Sequence, residues 1–266
     1  MKYVLFTKMF REQSIEQLIK TAKMVGADGL DIAIRPGYPI NLTNVRKALP
    51  AAVKQIEAAG LSVPLVSTPV DWVDPADPFA ENLWAACHDC GIANIKIGYW
   101  NFKGGDYYEK LELARKALDK FSVFGSRFGI RTLIHNHSGN YVNINASAVM
   151  NMIRDRNPFE IGAYLDPGHL NVNGEPITMA LDIVGKHLAM VAVKDSLIVR
   201  VGDNKPRRTD WVPFGTGTVN WVELMKGLHD RGYASAISFH SEYETLKPDA
   251  LIAQTAADIR YLRALG

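Results

Sequence analysis

Short apolar, β-rich runs recur along the chain at an almost fixed interval. They read YVLF (3–6), LDIAIR (30–35), SVPLVS (62–67), ANIKIG (93–98), RTLIH (131–135), EIGAYLD (160–166), LAMVAVK (188–194) and ASAISFH (234–240). Between them the apolar positions switch to helical spacing. Residues 14–25 carry apolar side chains at 15, 18, 19, 22 and 25, with Gly26 behind them. Further helices are expected over 50–59, 77–91, 106–128, 145–154, 177–185, 220–231 and 248–265. Eight strands alternating with eight helices imply a parallel sheet. That many units in 266 residues favour one closed (β/α)8 TIM barrel spanning 1–266, with an open doubly wound sheet as the alternative. The stretch 199–218, with Gly202, Pro206, Pro213, Gly215 and Gly217, is the longest irregular segment and a candidate lid.

Parity within the strands predicts what faces inward. Side chains two apart share a face. In 30–35 the apolar Leu30, Ile32 and Ile34 oppose Asp31, Ala33 and Arg35. In 234–242 Ala236, Ser238, His240 and Glu242 fall together, and in 188–194 so do Ala192 and Lys194. The apolar face belongs under the helices and the small or polar face inside. Polar inward residues gather at the C-terminal strand ends, where barrel enzymes place their chemistry. The rim candidates are Asp31, Arg35, Lys96, His135, His137, Asp166, His169, Lys194, Asp195, His240 and Glu242. Carboxylates and imidazoles converging from several strands suit a divalent metal, Mn, Mg, Co or Zn.

Charge and composition narrow the classes. Thirty basic and 28 acidic residues give a net charge of +2, which supports no nucleic-acid or anionic-membrane surface. No apolar run reaches the length of a membrane span, and the apolar start of the chain is too short for a secretory leader, so a cytoplasmic location is expected. Cys87 and Cys90 form a CxxC, but no second pair exists to complete a zinc site, and the end of a helix disfavours a thiolate. They read as packing residues. The GTG of 215–217 lacks the lysine of a phosphate loop and reads as a turn. Trp72, Tyr99, Trp100 and Trp211 fall in or near the loops after strands, where an aromatic ring stacks on a sugar or packs a lid. His88, His187 and His229 receive no role.

GADGLDIAIRPG (26–37), the HNH of 135–137, YLDPGH (164–169), VAVKD (191–195), FGTGTVNW (214–221) and SFHSEY (238–243) occur in that order. Together they resemble the xylose isomerase-like barrel superfamily over essentially the whole chain. The resemblance implies a sugar isomerase or epimerase that takes the proton α to a carbonyl and passes through an enediolate. It implies a metal held by Glu, Asp, His and Glu from strands 5 to 8. Carried over, these fall on His135, Asp166, Ala192 and Glu242, so one ligand changes type and the strand 7 ligand is lost. On this reading Glu242 is the base and His135 its partner, with metal at His135, Asp166 and Glu242. Arg35, His137, His169, Lys194 and His240 contact a small-molecule sugar, unphosphorylated or acidic. Asp31, deeper in its strand, is expected to hold Arg35. Two alternatives stay open: a keto-sugar or inosose dehydratase, which shares the first step, and a non-catalytic sugar-binding barrel, which Ala192 favours. Dimers or tetramers are common in the resembled family, though the sequence carries no interface signature.

Overall fold

The computed structural model describes residues 1–203 and 207–266. Pro206 of the expected lid lies outside them. Eight parallel strands close into a barrel: β1 (Lys2–Phe6), β2 (Gly29–Ala33), β3 (Ser62–Ser67), β4 (Asn94–Lys96), β5 (Arg131–His135), β6 (Ile161–Leu165), β7 (Leu188–Val193) and β10 (Ala236–Phe239). β1 pairs on one side with β2 and on the other with β10, which closes the cylinder and leaves no free edge. The surrounding helices are α1 (Ile15–Val25), α2 (Val45–Ala58), α3 (Ala80–Asp89), α4 (Tyr107–Phe128), α5 (Ala146–Ile153), α6 (Pro167–Asn173), α7 (Ile177–Val184), α8 (Trp221–Asp230) and α9 (Pro248–Arg263).

The inward/outward parity is as the alternation predicts. Leu30, Ile32, Ile34, Val191, Val193, Ile237 and Phe239 join the large layer between sheet and helices. Val4, Leu65, Leu133, Tyr164, Met190, Ala192 and Ala236 form a separate plug inside the barrel. That plug fills the lower barrel, and the polar inward side chains described below gather at its upper mouth.

Several elements differ from expectation. α2 begins at Val45 rather than Pro50, because Val45, Leu49, Val53 and Ile56 already form a buried stripe that carries the helix through the proline. α3 begins at Ala80; the Asp77 carboxylate instead accepts from the Phe79 amide at 2.8 Å in a preceding turn. Cys87 is buried, and burial pushes its thiol well above the usual range, as a packing role requires. α6 was not expected, yet Asp166 caps it, Pro167 opens it and Gly174 ends it. Part of the 199–218 segment is regular strand. β8 (Asp195–Val199) and β9 (Arg208–Val212) pair antiparallel from Asp195 opposite Val212 to Val199 opposite Arg208. Among the described residues no helix is long and apolar enough to cross a membrane.

Candidate active site

Asp166 directly follows β6 and caps α6, and both positions fix its carboxylate. Its Oδ1 accepts from the His169 amide at 3.1 Å, and its own amide donates to Asn136 Oδ1 at 2.7 Å. Asn136 returns a hydrogen bond from Nδ2 to the Asp166 carbonyl. Gly168 is required here: a Cβ would collide with the Lys194 carbonyl, so only glycine lets the start of α6 lie on the end of β7. Oδ2 is left facing three nitrogens: His135 Nε2 at 3.3 Å, Lys194 Nζ at 3.7 Å and His169 Nε2 at 3.8 Å. Burial pushes the Asp166 pKa up, and Lys194 opposes that rise.

Glu242 lies two residues beyond His240 on the inward face that continues β10. Both of its oxygens are occupied. Oε1 accepts from Lys8 Nζ at 2.7 Å and Oε2 from Lys194 Nζ at 3.0 Å. Burial alone would raise its pKa, but Lys194 and Lys8 outweigh it and hold the carboxyl well below its ordinary value. Lys194 is itself buried and touches both Asp166 and Glu242, so one ammonium bridges the two carboxylates. The Trp211 ring of β9 covers that ammonium, its centroid 4.2 Å away.

The opening His135 of the HNH motif is locked. Its Nδ1 shares a 2.7 Å hydrogen bond with the Tyr99 hydroxyl and its Nε2 faces Asp166. Burial, with Lys96 and Lys194 adding to it, holds its pKa well below the usual histidine value, so the ring is neutral. His169 is also neutral for the same first reason. Its Nδ1 bonds the Ser138 hydroxyl at 2.8 Å, while its buried Nε2 has no hydrogen-bond partner. His137 lies against His169 with ring centroids 3.8 Å apart and planes tilted by 39°, its Nδ1 bonded to the Ser138 carbonyl, and burial lowers its pKa to about 3.

One layer down, Asp31 accepts from Ser67 Oγ and Ser238 Oγ, both at 2.8 Å, and from Tyr164 at 3.4 Å. These partners, and not Arg35, hold it, which corrects the expected Asp31–Arg35 contact. Burial still pushes Asp31 up to about 6. His240 sits beside it, bonded to the Tyr164 hydroxyl at 3.1 Å and stacked on Phe6. Lys96 lies over the Tyr99 ring at 3.9 Å and Arg35 over Phe6 at 5.6 Å. No carboxylate of the described residues pairs with either cation, and Arg35 Nε has no hydrogen-bond partner.

The remaining expectations divide. Asp195 points away from the mouth: it accepts from the Gly215 and Gly217 amides and from Trp221 Nε1, organising the segment after the hairpin. A Cβ at Gly217 would overlap Asp195 Oδ1. Trp72 is buried against Trp84 and Phe121, a core residue rather than a sugar platform. Trp100 also packs on the core, whereas Tyr99 and Trp211 join the site. Lys8, Asn136 and Ser138 were missed. Parity could not have found Lys8, which lies in a 3-10 turn (Thr7–Phe10) beyond the end of β1. A cleft of about 480 Å³ opens beside the hairpin, lined by Trp211, Glu242, Tyr243 and Gln254, within the size range of small-molecule sites.

The arrangement was tested against the divalent ion that the resemblance implies. Among the described residues no group of three or more His, Cys, Asp or Glu is placed to hold a metal ion. Ala192 offers no donor, both Glu242 oxygens hold ammonium groups, and Lys194 stands between the carboxylates. A dication about 4 Å from that ammonium would meet repulsion on the order of 8 kcal/mol at an effective dielectric of about 20. The residues as arranged do not fit the ion.

The chain was compared with known proteins. The family model described as "Xylose isomerase-like TIM barrel" matches residues 19–265. A sequence search of curated proteins finds no match. Among solved structures, a D-psicose 3-epimerase from Clostridium cellulolyticum H10 superposes with a TM-score of 0.75 at 15% identity, over 100% of this chain and 99% of that one. A 3-keto-D-glucoside 4-epimerase from E. coli gives 0.73 at 18%, over 99% of both chains. A probable 3-DHS dehydratase from Bacillus anthracis gives 0.73 at 17%, over 96% and 97%. At these identities the likeness establishes the fold. With eight parallel strands closed in register and a family match over nearly all its length, the chain belongs to the xylose isomerase-like TIM barrel family.

Proposed function

We propose that this barrel is a sugar isomerase or epimerase that removes the proton α to the carbonyl of a keto-sugar. The observation that carries the reading is the Glu242 carboxylate, ionised and held between Lys8 and Lys194 beside the Asp166–His135–His169 cluster. An α-proton is a weak acid, so its removal needs a carboxylate or imidazole in reach and positive charge where the oxyanion develops. Glu242 is the base. Substrate hydroxyls that draw the more exposed Lys8 off Oε1 free a lone pair and raise its basicity. His135, tied to Tyr99 and Asp166, and His169, whose Nε2 is free, stand on the other side of Asp166 and, being neutral, relay a solvent proton to carbon, taking one up as they give one. His137 and His240 shape the walls.

Arg35, without a carboxylate partner among the described residues, favours a substrate bearing a carboxylate, and Lys96, whose pKa burial lowers well below the usual lysine value, adds a hydrogen-bond donor beside it. Trp211 supplies an apolar face for the ring. The similarity of the fold to two sugar epimerases supports the class. A lyase stays as the second reading, favoured by the dehydratase among the structural neighbours and by His169, whose unpartnered Nε2 can hydrogen-bond a departing hydroxyl.

Product analysis in D2O separates them. Incubation with a panel of neutral and acidic keto-sugars is expected to yield an isomer of unchanged formula carrying one deuterium at carbon. An enone absorbance with loss of water assigns the lyase instead. No exchange with any member of the panel would remove the α-proton reading.

A further inference from the structure

The site's misfit with a divalent ion has a positive counterpart. We infer that Lys194 supplies the positive charge of this site, so that the chemistry proceeds with no bound divalent ion; the catalytic half of this inference rests on the proposed α-proton chemistry.

Lys194 is held as a fixed charge rather than a flexible arm. Its backbone is clamped beneath α6, where Gly168 allows the close approach. Its ammonium is contacted on three sides, by Asp166 at 3.7 Å, Glu242 at 3.0 Å and the Trp211 ring. Ala192, two residues earlier on the same face, lies in the interior plug and puts no donor beneath it. The two carboxylates that could grip a dication therefore already grip a monovalent cation that is part of the chain. Lys8 neutralises the remaining oxygen of Glu242 from β1's side of the mouth.

The step balances without any further reactant. The C–H bond α to the carbonyl breaks and its electron pair forms the carbon–carbon double bond. The carbonyl π pair moves onto oxygen, and the proton passes to Glu242. The new oxyanion accepts a hydrogen bond from the Lys194 ammonium, a preorganised donor in a water-poor site. Delivery of a solvent proton to the opposite face of that carbon collapses the enediolate to the epimer, and release of the proton held by Glu242 to solvent restores the enzyme.

The test is a Mn²⁺ titration followed by EPR, on chelator-treated wild-type protein, Lys194→Ala and Glu242→Gln, with circular dichroism to confirm that each is folded. The wild type is expected to leave the free Mn²⁺ signal undiminished. Lys194→Ala, which releases Asp166 and Glu242, is expected to bind Mn²⁺ more than about tenfold tighter than wild type. One equivalent bound by wild-type protein and lost in Glu242→Gln would overturn the inference whatever becomes of Lys194→Ala. Binding by neither wild type nor Lys194→Ala would overturn it too, because Lys194 would then not be what excludes the ion. The readout needs no sugar. A failed keto-sugar panel with Mn²⁺ behaving as expected therefore counts against the proposed function alone, and deuterium exchange that appears only after Mn²⁺ is added counts against this inference alone.

Discussion

Lys8 and Glu242, 234 residues apart in the chain, meet at 2.7 Å because β1 and β10 are the neighbours that close the barrel. The pair exists only when the cylinder is complete, so the charge state of Glu242 reports on closure as well as on the site. Lys8 and Lys194 hold Glu242 well below its ordinary pKa against the opposing effect of burial. A folded-state pKa below the unfolded one stabilises above the unfolded value and is lost as pH falls through the folded one. Lys8→Met is therefore expected to raise the Glu242 pKa and shift the acid limb of the kcat/KM profile to higher pH. A limb that does not move would separate Lys8 from the ionisation of Glu242.

The buried histidines set a second pH dependence. His135, His169 and His240 are neutral in the fold, each with its pKa depressed first by burial. Their contribution is complete above the unfolded histidine pKa and is lost as pH falls below it, by up to about 1.4 kcal/mol per pH unit for each proton taken up only on unfolding. Asp31, raised to about 6, acts oppositely: its contribution is present below its unfolded pKa of 3.8 and lost as pH rises through about 6. His137, lowered to about 3, joins the other rings, and Asp166 and Asp258, raised by burial, act as Asp31 does; the four histidines dominate because their unfolded value lies inside the range tested. The urea midpoint should fall from pH 7 to pH 5, and a flat midpoint would mean that the rings are charged in the fold.

Ser238 donates to Asp31 in the barrel interior at 2.8 Å. Ser238→Ala leaves a buried carboxyl short of one partner and is expected to cost about 1.5–3 kcal/mol in urea unfolding. Activity should change less than stability, since Asp31 lies below the mouth. An unchanged midpoint would show that Ser67 and Tyr164 suffice.

Gly217 has no room for a side chain, because a Cβ would overlap the Asp195 carboxylate. Gly217→Ala must move Asp195, which also holds the Gly215 amide and the Trp221 indole. A loss of roughly 1–3 kcal/mol is expected from such overpacking. A thermal midpoint equal to wild type would show that the loop yields freely.

The barrel was legible because the alternation of strand and helix is regular and because period-two parity separated Leu30, Ile32 and Ile34 from Asp31. The mouth was legible in part for the same reason: Ser238, His240 and Glu242 follow one phase. Trp72 was misplaced because a loop position does not reveal which way a ring packs. The β8–β9 hairpin was missed because glycines and prolines around it mask two short strands, and Trp211 reaches the site only through that pairing. Lys8 lies in a 3-10 turn where strand parity says nothing, and its partner is set by closure of the barrel, which no local pattern shows. The punctuation Asp166, Pro167 and Gly174 does mark α6, and with it the cap that aims Asp166.

The central claim is that Glu242 takes an α-proton from a keto-sugar. The most direct measurement is the rate of solvent deuterium incorporation at that carbon, followed by NMR for wild-type protein and Glu242→Gln with one substrate from the panel. The expected result is exchange by wild type and a loss of roughly 10²–10⁴-fold in the variant, the usual weight of a general base, with substrate binding retained. Equal exchange rates in the two proteins would contradict the account.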